Sequence, residues 1–283
     1  MPLMTASGSL GLIGIKHHPW RAFTYWFASF SVLWTLVEGF TYFIPSLDLR
    51  SPTALVIVAV IGIVYTATMI RRPSKIEIPI RHTNTRLEIK FGDLFKEEGF
   101  RAIAVNEFFD SELGLPVSKK TLHGIFLSTC FGGHSHAFDQ IVERELKDTL
   151  SEYIERAQGK KRKYRIGTTA TIPINNDRYL CFALSKTDIE TGKAFADVPT
   201  LWEALNGLWQ KARITLGGSE LILPLVGSGL SGIGLPGRRL LDLIILSVIT
   251  ETKRKEIATF IRIVLNSDRF EEIDLGEVKR YWR

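Results

Sequence analysis

The chain has 283 residues, 45% of them hydrophobic and 23% charged, which excludes wholesale disorder and leaves room for one large or two modest domains. Its net charge of +6 suggests an acidic partner without choosing among nucleic acid, anionic lipid and phosphorylated small molecules. The only cysteines, Cys130 and Cys181, lack any framework or metal-ligand spacing, so they read as ordinary buried thiols in a reducing compartment.

Residues 20–44 carry a single charge after Arg21, namely Glu38, and are long enough to cross a bilayer as a helix. A polar loop follows, then residues 54–70, which have no charge and stop at Arg71 and Arg72. Neither segment shows the polar stripe of a soluble amphipathic helix, so the pair reads as a transmembrane hairpin. Trp20, Tyr25, Trp26, Tyr42 and Phe43 cluster where an interfacial belt would lie. Lys16 and Arg21 before the hairpin, and Arg71, Arg72 and Lys75 after it, outnumber Arg50 in the loop, which predicts two spans with both termini cytoplasmic. The apolar patch at residues 10–15 has no basic region before it, unlike a signal peptide. Glu38 either reaches the interface or serves helix association or pore lining. The expected organisation is an N-terminal cytoplasmic segment (1–19), the hairpin (20–72) and a cytoplasmic body (73–283).

In the body, alternation over residues 75–95 predicts two strands meeting at a polar turn, residues 82–85, and residues 100–105 predict a short apolar strand. Apolar residues at helical spacing predict one amphipathic helix over 135–157. Strands from Gly167 and Arg178 flank a turn at residues 175–177, and residues 199–214 predict another helix. Strand 221–225, helix 238–250 and strand 259–265 complete a strand-helix-strand unit, the pattern of a three-layer α/β domain. Between that strand and helix lies "VGSGLSGIGLP", whose glycines permit positive φ and close backbone approach. By itself it is either a phosphate cradle or a flexible connection.

Three stretches, in order, resemble the macro domain, a fold that binds ADP-ribose and its derivatives: "FGDLF", "AIAVNEFFD" and "PLVGSGLSGIGLP". The likeness implies a macro-like α/β domain with a central mixed sheet. Asp93, with Leu94, would receive the adenine amino group, and Asn106, with Val105, would open the loop beside the ribose. Amides from Gly227, Ser228, Gly229, Leu230, Ser231, Gly232, Ile233 and Gly234 would hold the diphosphate. A carboxylate accepting from an amine and amides facing phosphate are sound chemistry for these roles. More closely, "VNEFFDSELGLPVSKKTLHG" and "FADVPTLWEALNGLWQKAR" resemble the macro-domain branch of membrane-anchored effectors in Thoeris anti-phage defence, over roughly residues 76–266. That resemblance implies a bacterial inner-membrane protein that binds histidine-linked ADP-ribose made by a TIR-domain partner. It then assembles as a homo-oligomer and damages the lipid bilayer to cause abortive infection. The bound nucleotide would be a signal, and no cofactor is implied.

The chain departs from the hydrolytic pattern: Phe109 stands where a second asparagine is usual, and residues 118–124 replace a triple glycine. An aromatic ring cannot orient a ribose or a water as an amide does, so binding without turnover is expected. Lys119 or Lys120 is placed to meet phosphate and His123 the group on the distal ribose, against the plainer readings of an exposed lysine pair and a packed histidine. His134 and His136 lack a third ligand nearby, so no metal is expected, and Ser135 reads as a helix cap. The basic run Lys160, Lys161, Arg162, Lys163 reads as a solvated loop, with anionic lipid second and nucleic acid not expected. Ser128, Cys130 and Ser231 have no recognisable base, so no catalytic residue is assigned. A membrane-tethered ADP-ribose-processing hydrolase, a recruiter of ADP-ribosylated partners and a ligand-gated channel are the alternative functions.

Overall fold

The computed structural model describes residues 19–44, 51–69, 72–229 and 232–282, and the chain divides into two compact units at Pro73 and Ser74. The first unit is a pair of helices, α1 (Pro19–Phe43) and α2 (Pro52–Met69). α2 is the one helix among the described residues that is long and apolar enough to cross a membrane. At about 1.5 Å per residue it spans ~27 Å, close to a hydrocarbon core of ~30 Å. α1 is longer but less apolar, and of the two spans expected it is the one whose composition falls short. Its threonine hydroxyls are satisfied within the helix: Thr24, Thr35 and Thr41 each donate to a carbonyl one turn back at 2.8 Å. Back-bonding of this kind is how polar side chains persist in an apolar medium. The helices pack through small residues, with a Cβ on Gly62 only 3.3 Å from Ser29 Oγ and 3.4 Å from Trp26.

The second unit is built on a mixed sheet. β1 (Lys75–Pro79) and β2 (Arg86–Phe91) form the antiparallel hairpin expected from the alternation. β10 (Phe260–Leu265), β9 (Leu221–Pro224), β3 (Phe100–Asn106) and β7 (Asp177–Thr187) follow in that spatial order, all parallel to β2. β6 (Thr169–Ile174) ends the sheet antiparallel to β7, and the two-residue β8 (Ala194–Phe195) pairs with the end of β7. Two hydrophobic cores lie on opposite faces. α3 (Leu122–Phe131) and α4 (Ser135–Glu145) cover one face through Phe126, Leu127, Phe138 and Val142. α5 (Val198–Thr215), α6 (Gly237–Arg254) and α7 (Leu275–Tyr281) cover the other through residues such as Leu205, Trp209, Leu241, Ile245 and Val278. The result is the three-layer arrangement that strands alternating with helices imply.

The single helix expected over 135–157 does not form as such. Phe138, Val142 and Leu146 complete its apolar stripe, whereas Leu150 is 87% exposed and adds nothing to the core. α4 therefore stops at Glu145, and the chain turns into a small antiparallel pair, β4 (Ser151–Tyr153) with β5 (Arg162–Tyr164). Its basic run is largely paired within the protein: Lys160 with Asp139, Lys161 with Glu155, and Lys163 with Glu107 at 3.8 Å. His134, not Ser135, occupies the α4 cap position, and its side chain makes no capping hydrogen bond.

α5 comes unusually close to the sheet where two glycines meet. A Cβ on Gly207 would lie 2.2 Å from Gly167 O, a backbone atom that cannot rotate aside. Helix propensity alone predicts that Gly207→Ala stabilises by ~1 kcal/mol. The contact predicts the opposite sign, a loss of about 1–3 kcal/mol, read as a fall of several degrees in thermal midpoint. A rise would show that α5 stands further from β6.

Candidate functional site

Parallel strands present their carboxyl ends along one edge, and neighbouring strands whose connections diverge leave a gap there. Here the divergence lies between β9 and β3: β3 leads through α3 and α4 toward β7, whereas β9 leads through α6 to β10. A cleft of 710 Å³ opens at this point, walled by the ends of β3, β7 and β9, the start of α3 and the β7–β8 hairpin.

The glycine-rich loop after β9 forms one wall through Val226, Gly227, Ser228 and Gly229. Gly227 and Gly234 have φ of 83° and 75°, where a side chain would be strained, and a Cβ on Gly227 would fall 2.6 Å from Ile233 Cδ1. The loop closes on itself through Ile233 N donating to Gly227 O at 3.1 Å. Gly229 and Gly234 face open space. Leu230 and Ser231 lie outside the described residues, and Gly232, Ile233 and Gly234 do not line the cleft. A helix N-terminus such as that of α6 also carries unpaired amides that suit an anion. The first of them, Gly237 N, instead donates to Glu272 Oε1 at 2.7 Å. Arg269 holds the Glu272 carboxyl below its ordinary range, against burial and with help from the same amide. The helix end is sealed by the protein's own carboxylate, so an anion in the cleft has the loop amides.

On the opposite wall, Val105 and Asn106 end β3. The Asn106 amide is committed: its Nδ2 donates to Asp110 Oδ2 at 2.7 Å, and its Oδ1 accepts from Asp110 N at 3.0 Å. Asp110 is fully buried and also takes Arg156 and the Lys160 amide. Asn106 thus shapes the loop beside the cleft and turns its amide toward the protein. Phe109 is fully buried with φ of 52° and packs edge-on to Tyr164, 5.5 Å between centroids. It belongs to the core behind the site and is not among the lining residues.

The start of α3 supplies a third wall. Thr121 Oγ1 caps the helix by accepting from Gly124 N at 3.0 Å, and Gly124 admits Ser118, whose carbonyl a Cβ there would approach to 2.2 Å. That close approach puts Ser118, Lys120, Thr121 and His123 on the cleft wall and leaves Lys119 off it. His123 is 7% exposed, lies beside Phe138, and its Nε2 has no hydrogen-bond partner. Burial, with the charge of Lys160, pushes its pKa down to about 3.

Asp93 stands at the same edge of the sheet, after β2, exposed and with Oδ1 accepting from Phe95 N at 3.0 Å. It is two strands from β9, about 10 Å at ~4.8 Å per strand, and outside the lining of the cleft. Leu94 points into the core. Nearby, Phe91 and Phe270 pair at 5.0 Å. The residues missed by sequence reasoning are Ser185 and Lys193, brought to the cleft by β7 and the β7–β8 hairpin. No motif marks either one. The described lining residues thus include two lysines, Lys120 and Lys193, one neutral histidine and no carboxylate.

The family model described as "Thoeris protein ThsA, Macro domain" matches residues 87–266. Among solved structures, a macrodomain mutant from Oceanobacillus iheyensis superposes with TM-score 0.51 at 14% identity, covering 74% of this chain and 98% of that one. The same macrodomain with ADP superposes at 0.50 with 14% identity, covering 73% and 96%. A further mutant of it with ADPR gives 0.50 and 14%, covering 73% and 98%. No curated protein sequence matches.

An imidazole with a folded pKa near 3 and an unfolded value of ~6.5 binds fewer protons when folded, so it adds no pH dependence above ~6.5 and costs stability as pH falls below it. Nuclear magnetic resonance titration of His123 should find the ring neutral down to at least pH 5. A midpoint near 6.5 would show that water reaches it.

Proposed function

The chain belongs to the Thoeris ThsA macro-domain family, and we propose that it is a membrane-anchored sensor of an ADP-ribose-derived signal. The observation that carries the reading is the cleft itself, a glycine-loop wall with positive-φ turns facing two lysines and no carboxylate. Backbone amides and lysines without competing acids suit a diphosphate. Asp93, two strands away along the same edge, is in position to accept from an adenine amino group at the far end of the ligand.

In this reading the nucleotide is held and not processed. Phe109 is packed in the core, and Asn106, the remaining amide, is bound to Asp110. Neither is free to orient an attacking water, and no nucleophile-base-acid set is assigned. The signal is a histidine-linked ADP-ribose made by a TIR-domain partner. α2, with α1 packed on it, forms a two-span inner-membrane anchor with both termini in the cytoplasm. Signal binding favours an assembling state over a resting one, as differential affinity requires, and the assembled spans disrupt the bilayer.

Calorimetry on the full-length protein in detergent tests this against ADP-ribose and its amino-acid conjugates. Binding without breakdown of the ligand is expected. A Cβ on Gly229 would meet no atom within 4 Å, so Gly229→Glu folds normally while placing a carboxylate against the diphosphate. Its affinity should fall by at least ~10-fold, the equivalent of 1.4 kcal/mol. Undiminished binding by the variant would place the diphosphate elsewhere, and turnover of the conjugate would establish a hydrolase.

A further inference from the structure

The order of strands along the sheet edge also orders the parts of the ligand. Asp93 follows β2, the glycine loop follows β9, Asn106 ends β3, and the Lys193 hairpin follows β7, the next strand in the sheet. A nucleotide running from Asp93 across the loop reaches Asn106 with its distal ribose. Anything attached to that ribose continues toward β7, about 5 Å further on.

The hairpin there is cross-linked by its own hydrogen bonds. Asp188 Oδ1 accepts from Thr191 N at 2.7 Å and Thr191 Oγ1 at 2.8 Å, Gly192 N donates to Asp188 O at 2.8 Å, and Asp188 N donates to Lys193 O at 2.9 Å. Gly192 takes φ of 67° to make the turn. Asp188 commits its carboxylate to Thr191, whose amide and hydroxyl hold it below the ordinary range, the charge of Lys193 adding a smaller share. Lys193 is exposed, lines the cleft and has no carboxylate partner among the described residues. No acid lines the cleft to neutralise it.

Resting on the sensor reading above, we propose that Lys193 reads the terminal group of the ligand by pairing with a carboxylate on the substituent carried by the distal ribose. Lys120, on the α3 side, faces the phosphates instead. A carboxylate is the group that an ammonium without an ion-pair partner distinguishes best from a neutral amide of the same shape, through one charge-assisted hydrogen bond. Plain ADP-ribose, lacking the group, leaves Lys193 unused.

The test is calorimetry of the full-length protein in detergent with three ligands: ADP-ribose, an amino-acid conjugate of ADP-ribose with a free carboxylate, and the same conjugate as its primary amide. The wild type should prefer the carboxylate over the amide by about tenfold, within the range of one hydrogen bond to a charged group. Lys193→Gln should bring that ratio close to one with an unchanged thermal midpoint, while Lys120→Gln should weaken all three ligands and keep the ratio. Equal wild-type affinity for carboxylate and amide would overturn the proposal, as would a preference that survives Lys193→Gln or collapses in Lys120→Gln. Failure of the wild type to bind any of the three would sink the sensor reading itself, an outcome distinct from the others.

Discussion

A fully buried carboxylate, Asp110, sets the shape of the cleft. A buried acid without water costs several kcal/mol unless its lone pairs are met, and Asp110 meets that demand with three donors from two segments. Asn106 comes from the end of β3, Arg156 from the turn between β4 and β5, and the Lys160 amide from the same turn. The guanidinium of Arg156 is further covered by Phe108, 3.8 Å from its ring centroid. Loop 106–111 is thereby held against the cleft with the Asn106 side chain turned inward. The same demand explains why α4 ends early: the chain beyond it must deliver Arg156 to Asp110, which a continuous helix through residue 157 does not do.

With the Asn106 side-chain amide committed, the donors left at the cleft include main-chain amides and flexible lysines. The first amide of α6 is taken by Glu272, and the glycine loop faces the cleft between lysines on two other walls. Such a site is complementary to a charged, extended ligand. The buried, neutral His123 adds shape and a hydrogen-bonding nitrogen without adding charge.

The front unit is built on different packing rules. Its hydroxyls fold back on their own helices, its small residues let α1 and α2 approach, and aromatic rings stack along α1 from Trp26 through Phe30 to Trp34. α2 has the length and apolarity of a span, while α1 retains Glu38, half-buried, near its C-terminal end.

Most of the longer strands and helices of the body, the hydrophobic front segments and the glycine loop are legible in the chain alone, because each is a local property: periodicity, run length or freedom of φ. The helix over 199–214 and the strands at 100–105 and 221–225 were readable for that reason. Folding was needed to bring Lys120 and Lys193 into one cleft, to leave Lys119 off it, and to set Glu272 on the α6 terminus. It was also needed to end α4 at Glu145. These outcomes depend on pairings between residues tens of positions apart, such as Asp110 with Arg156 and Gly237 with Glu272, and on a strand order that no local pattern encodes. Local chemistry specifies what each segment is, while burial of charge and the crossing of connections specify which segments meet.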